Sequence, residues 1–287
     1  MVAVASSAGL RAAAVADREE IAAFLRTDRL TAAYALGDLD GLSRRRAAWG
    51  LAYDEAGTPR GLAMQHLGFA PQSLFLMGEP DACRVVLDTV VRPRLAFIQA
   101  RADLEPALDG VYDLDPPSPL LRMVVDEATF RPWAGSAERL GPGDISDLNR
   151  LYGLGLGSGF PASVLDEGIY YGVRVGGRLV AAAGTHAMNP REGIAVVGNV
   201  MTHPDHRRQG HAKAVTSAVT AELLDRLPDV ALNVAAGNAP AVAAYARLGY
   251  REHCALAEWV AYRHSSSWRL MRPLRDALRW SRPRFER

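Results

Sequence analysis

The sequence predicts an α+β protein built in two halves, and three observations carry that reading. Short segments of alternating or continuous apolar residues recur, joined by turn-forming residues such as Asp54-Glu55-Ala56-Gly57-Thr58-Pro59 and Gly176-Gly177. Amphipathic stretches of helical spacing fall between them. The pattern restarts near Phe130-Arg131-Pro132-Trp133-Ala134-Gly135-Ser136, with an antiparallel start and a βαβ finish.

Taken in order, Met1 to Ala16 is rich in Ala and Val but has no cationic leader, and Arg11 interrupts it. It reads as a lead-in with an entering strand rather than a signal peptide. Asp17-Arg18-Glu19-Glu20 before Ile21, Phe24 and Leu25 is a capped amphipathic helix, and Leu30 to Leu36 is a second. Strands follow at Ala47 to Tyr53, Gly61 to Leu67 and Ser73 to Met77. Pro80 to Val91 has helical spacing through Cys83, Val86, Leu87 and Val90. Arg94 to Gln99 and Leu120 to Val125 complete the strands of the first half.

In the second half, Gly143-Asp144-Ile145-Ser146-Asp147-Leu148 starts a helix within Leu140 to Leu151. Tyr170 to Val175 and Leu179 to His186 form a hairpin across Gly176-Gly177. Then come the strand Ile194 to Thr202, a polar loop, the helix Ala212 to Leu227, the strand Val230 to Val234, the helix Ala239 to Leu248 and a last strand near Cys254 to Tyr262. The expected division is an α+β domain over 1–132, a second domain over 133–264 and a basic amphipathic tail over 265–287. Residues 263–287 hold eight Arg against one Asp and one Glu, interleaved with Trp268, Leu270, Met271, Leu274, Leu278 and Trp280. A helix packed on its own protein is the favoured reading of this tail over membrane or nucleic-acid contact.

Composition narrows the function classes. The chain has 287 residues, 49% hydrophobic and 23% charged, with a formal charge of +1, which gives no argument for a nucleic-acid or strongly acidic partner. Cys83 and Cys254 are the only cysteines, so a reduced cytoplasmic protein without disulfide or Cys-metal framework is expected. No apolar run approaches the ~18–20 residues that span a bilayer. Lys213 is the single lysine among 33 basic residues. An Arg-rich composition explains this, and the position beside the polar loop leaves both a solvent-facing and a phosphate-facing role open.

The chemistry-bearing residues lie between 196 and 250. Val196-Val197-Gly198-Asn199-Val200-Met201-Thr202 runs into Arg207-Arg208-Gln209-Gly210-His211-Ala212 and a helix. A loop that opens a helix offers free backbone N–H groups and the positive end of the helix dipole to a phosphate. Gly210 lets the backbone approach without a Cβ, and Ala212 keeps the first turn slim. Downstream, Asn238-Ala239-Pro240-Ala241 caps the next helix, Tyr245 follows two turns later on the same face, and Leu248-Gly249-Tyr250 ends the helix in a left-handed turn.

These two linked motifs resemble the GCN5-related N-acetyltransferase (GNAT) superfamily, and most closely its FR47-like branch. The loop matches R/Q-x-x-G-x-G/A through Arg207, Gly210 and Ala212. The resemblance covers roughly residues 134–264 and implies a GNAT fold with a central, mostly antiparallel mixed sheet flanked by helices. The first half has a loosely similar order without either motif, like the degenerate half of glycine N-acyltransferase-like proteins. Acyl-CoA-dependent transfer to an amine is implied, with acetyl-CoA the expected donor and no metal. The implied coenzyme contacts are Asn199, Val200, Met201, Thr202, Arg207, Arg208, Gln209, Gly210, His211, Ala212, Asn233, Asn238 and Tyr245. The pantetheine amides would pair with the edge of Asn199 to Thr202. Tyr245 would protonate or hydrogen-bond the leaving thiolate, and a Val200 or Met201 N–H would meet the oxyanion.

The chain departs from the family pattern at the general base, because Ile194 to Val200 contains no Asp or Glu. His186 on the neighbouring strand is the best side-chain candidate, with Asp166 and Glu167 behind it and a purely structural His the competing reading. Two alternatives stay open: a silent coenzyme-binding module, and a transferase for a non-amine acceptor. Gly153, Gly155, Gly157 and Gly159 read as a loop shaping an acceptor pocket, lined by one of Tyr170 and Tyr171. His203, His206 and His211 lie in the phosphate loop, which argues against metal. A monomer or homodimer with a small-molecule or peptide amine as acceptor is expected.

Overall fold

A computed structural model of the chain describes residues 6–7, 9–40, 46–68, 71–157 and 159–264. In chain order, β1 (Ser6–Ser7) and β2 (Leu10–Ala14) lead to α1 (Arg18–Leu25) and α2 (Ala33–Gly37). Then come β3 (Ala47–Tyr53), β4 (Pro59–His66), β5 (Gln72–Gly78), α3 (Pro80–Thr89), β6 (Leu95–Ala100), α4 (Glu105–Asp109), β7 (Tyr112–Leu114) and β8 (Ser118–Asp126). The second half holds β9 (Glu138–Arg139), α5 (Ile145–Tyr152), α6 (Ser163–Glu167), β10 (Tyr170–Val175), β11 (Arg178–Asn189) and β12 (Ile194–Thr202). It closes with α7 (His211–Leu224), β13 (Asp229–Ala235), α8 (Ala239–Arg247) and β14 (Arg251–Arg263). The predicted tail over 265–287 lies outside the described residues.

The chain divides into two units, and neither is contiguous. The first takes the residues up to Asp17, Ala48–Ser118 and the chain from Ala257. Its strands run β1-β2-β3-β4-β5-β6-β14, with β5 parallel to β6 and α3 crossing between them. Its core packs Cys83, Val86 and Leu87 of α3 on Leu74, Leu76, Ile98 and Trp259. Pro80 occupies the first turn of α3, where a missing N–H costs nothing.

The second unit takes Arg18–Ala47 and Pro119–Leu256. Its strands run β8-β13-β12-β11-β10-β9, antiparallel except for β12 beside β13. On one face α7 and α8 pack Val215, Val219, Leu223, Tyr245 and Leu248 against Val197, Leu232 and Val234. The opposite parity, Tyr170 and Ala182, packs with Leu148, Leu151 and Leu165 of α5 and α6.

This division differs from the boundary expected at residue 132. Strand β8 pairs with β13 from Asp126↔Asp229 to Leu120↔Ala235, so it groups with the second unit. Residues 257–262 of β14 pair with β6 instead. Helix α1 and the residues that follow α1 and α2 are tied to the second unit through charge. Glu192, in the β11–β12 turn, has a side chain only 2% exposed and receives Arg18 Nη2 at 2.6 Å and Arg26 Nε at 2.9 Å. Arg18 also reaches Asp40, whose carboxylate takes a hydrogen bond from Asn189 Nδ2 at 2.8 Å. Such a buried carboxylate is tolerable only because its cations are supplied.

Candidate functional site

Strand β12 pairs with β13 from Ile194↔Asp229 to Val197↔Leu232, and the pairing stops there although both strands continue. The interruption has a local cause. Opposite β11, the register shifts between Ala182↔Met201 and Gly184↔Gly198, so Asn199 and Val200 stand against Ala183 alone. This is a β-bulge, and Asn199 takes φ +54°, a left-handed conformation that Asn tolerates better than most residues. A bulge bends its strand and leaves backbone groups out of the ladder. Past Val197 and Leu232, Gly198–Thr202 and Asn233–Ala235 share no ladder with each other. Thr202 Oγ1 is buried on this strand with no partner among the described residues.

Residues 203–210 lead from β12 to α7. Arg208 has φ +64° and Gly210, the residue before α7, has φ +86°. A Cβ at Gly210 would meet only the edge of Trp133 at 3.8 Å, so glycine is needed there for its backbone angle rather than for clearance within the protein. Backbone turned through left-handed residues into a helix start makes a concave set of N–H donors suited to an anion. Arg207, Arg208 and Gln209 are exposed, and His211 Nε2 lies 3.2 Å from Gln209 Oε1. His203 is occupied otherwise: Nδ1 accepts from Asp205 N–H at 3.3 Å and Nε2 lies 3.0 Å from Arg178 Nη2.

Asn238 caps α8 as its position predicts, its Oδ1 accepting from Ala241 N–H at 3.2 Å. Gly249 ends the helix at φ +91°, where a Cβ would fall 1.9 Å from Thr129 O. Tyr245 lies on α8, 8% exposed, with its ring 6.1 Å from that of Tyr250. Burial pushes its phenol up to about 12, with Tyr34 adding to the effect.

On the other face stand Tyr34 and Arg122, which the motifs did not reveal, beside residues that the sequence had singled out. Arg122 of β8 is fully buried; its Nε donates to Asn233 Oδ1 at 2.5 Å and its Nη1 to Leu30 O at 2.9 Å and Thr31 O at 3.0 Å. Burial lowers its pKa, and the guanidinium lies 4.9 Å from the ring centre of Tyr34. Tyr34 in turn sits 4.8 Å from the ring of His186. His186 is exposed at a second register shift, between Thr185↔Val197 and Ala187↔Val196. Tyr170 faces this side and receives Asn199 Nδ2 at 3.1 Å, whereas Tyr171 lies on the other face and donates to Glu222 at 3.0 Å. Asn233 and Asn199 thus spend their side chains on protein partners. Asp166 and Glu167 are exposed on α6. The glycine-rich loop is tied by Asn149 Oδ1, which accepts from Gly159 and Phe160 N–H at 3.0 and 2.9 Å.

Residues 170–260 match the profile of the FR47-like protein family. The likeness to this family is confined to that segment. The chain also resembles solved GNAT structures. A GCN5-related N-acetyltransferase from Kribbella flavida aligns with TM-score 0.59 at 17% identity, over 81% of this chain and 94% of that one. One from Sphaerobacter thermophilus gives 0.56 at 17%, over 90% and 96%. A tandem GNAT protein from the clavulanic acid biosynthesis pathway gives 0.53 at 15%, over 90% and 99%. Identities this low speak for the fold alone. No curated protein matches the sequence. Among the described residues no helix is long and apolar enough to cross a membrane.

The GNAT element order appears in both units: three successive strands, a helix and a strand parallel to the third. The link before the helix differs. In the second unit it spans 203–210. In the first unit Gly78 is followed by Glu79 alone before α3, which carries Asp81 in its first turn. Two carboxylates at that helix start oppose a phosphate.

Proposed function

We propose that the chain is an acyl-CoA-dependent N-acyltransferase with its site in the second unit and acetyl-CoA as donor. The observation that carries this reading is the bulged, unpaired end of β12 beside β13, leading into the loop 203–210. Pantetheine amides would pair with Asn199 to Thr202, and the pyrophosphate would lie on the N–H groups of Arg207 to Ala212. The amine nitrogen attacks the thioester carbonyl, the C–S bond breaks, and the amide product and the coenzyme thiolate leave, the thiolate taking its proton from solvent. N–H groups freed at the Asn199–Val200 bulge would face the developing oxyanion. Tyr245 would donate a hydrogen bond to the leaving sulfur. The amine proton needs an acceptor, and His186, exposed beside Tyr34, is the side chain proposed to receive it directly or through water.

Gly210→Glu tests the donor site. Glutamate strains a backbone at φ +86° and places a negative charge among phosphate donors. Calorimetry with acetyl-CoA should show binding by the wild type and none by the folded variant. Equal affinity would remove the coenzyme from this loop.

A further inference from the structure

Trp133 and Lys213 form a pair that the proposed reaction leaves unused. Trp133 is 42% exposed, whereas Trp49 and Trp259 are 5% and 1% exposed. An indole left in water at this level forgoes the burial that large aromatics normally gain. Its main chain is tied to α7, the backbone N–H donating to Ser217 Oγ at 2.9 Å. The Nζ of Lys213 lies 3.3 Å from the centre of the ring, a close cation–π contact. The indole edge, Nε1 and Cζ2, is 3.8 Å from the Cβ direction of Gly210. An exposed aromatic and the only lysine of the chain therefore flank the loop that would hold the pyrophosphate.

Coenzyme A carries two groups beyond that pyrophosphate, an adenine ring and a ribose 3′-phosphate. We propose that Trp133 and Lys213 bind this nucleotide end, the indole packing against adenine and the ammonium pairing with the 3′-phosphate. The inference rests on the donor reading above. Aromatic stacking is tolerant of base identity, whereas the ammonium recognises a charge, so the two side chains should make separable contributions.

The test compares CoA with 3′-dephospho-CoA by calorimetry on the wild type, Lys213→Met and Trp133→Ala, with folding checked by circular dichroism. Lys213→Met should weaken CoA about tenfold, the ~1.4 kcal/mol of one charge-assisted contact, and leave dephospho-CoA unchanged. Trp133→Ala should weaken both ligands by similar factors. Loss of affinity for both ligands in Lys213→Met, or no loss for either, would overturn the assignment even if Trp133→Ala misfolds. If the wild type binds CoA and both variants match it, this proposal fails and the donor reading stands. If the wild type binds neither ligand, the donor reading fails and takes the proposal with it.

Discussion

Replacing Tyr245 with Phe separates a phenol's chemistry from an aromatic's packing. The ring is 8% exposed and packs with Leu248 and Tyr250, so Phe keeps nearly all of its contacts. The structure also sets the size of the chemical loss. The phenol is pushed up to about 12, whereas a free thiol titrates near ~8.5. Complete proton transfer to the departing sulfur is then uphill by ~3.5 units, about 5 kcal/mol. The favourable role is donation of a hydrogen bond to the thiolate as its charge develops, worth ~1.5–3 kcal/mol. Turnover should accordingly fall between about tenfold and roughly 150-fold, with little change in acetyl-CoA affinity. The raised value also fixes the sign of the pH effect. The neutral, donating form persists as pH rises past the ordinary tyrosine range, so wild-type turnover should show no loss assignable to Tyr245 up to pH ~10. Thiol release under single-turnover conditions, once an acceptor is found, reads both quantities. A Phe variant with wild-type chemistry, or a Tyr-dependent fall in rate near pH 8–9, would refute the argument.

Two further outcomes follow from the charge network and the unequal links. Glu192→Ala leaves Arg18, 8% exposed, without its most buried anion and should destabilise the fold by ~3 kcal/mol in urea titration. Burial alone would raise the Glu192 pKa, but hydrogen bonds from Arg26 and Arg18 outweigh it and hold the carboxyl below its ordinary value. Its contribution is thus fully present above pH ~4.3 and is lost as pH falls through the lowered value, so the stability difference between wild type and variant should shrink in acid. Calorimetric stoichiometry should give one acetyl-CoA per chain, because Glu79 and Asp81 stand at the helix start of the first unit. A stoichiometry of two would show that the short link there accepts phosphate.

Local signals explain what was legible in the sequence. The strand at Ile194, the cap at Asn238, the left-handed turn at Gly249 and the hairpin across Gly176-Gly177 each depend on a few adjacent residues, and each appears where expected. The five-residue helices Glu105–Asp109 and Ser163–Glu167 were missed because neither sits in a longer run of helical spacing, as the equally short α2 does within Leu30 to Leu36. The coenzyme side of the site was readable because its motifs are contiguous. On the opposite side His186 and Tyr170 could be named from their strands, but Tyr34 and Arg122 could not, since they come from distant segments. For Arg122 the sign was a single arginine inside the apolar run Leu120-Leu121-Arg122-Met123-Val124. Strand β8 misled for the same reason: its partner, β13, lies about a hundred residues away, and no local pattern records the pairing.

The bond from Arg18 to Glu192 joins residues 174 positions apart. During synthesis the helices at 18–37 leave the ribosome long before the hairpin that receives them. At ~5–20 residues per second the interval is on the order of ten seconds or more, during which those helices and their arginines have no native surface to meet. The unit carrying the proposed site can close only after residue 235 of β13 has emerged, so it is a late product of translation despite beginning near the N-terminus. A fragment starting at residue 133 would lack both strand β8, the partner of β13, and the cations for Glu192, leaving an open sheet edge and a stranded carboxylate. Such a fragment should aggregate rather than serve as a minimal acyltransferase.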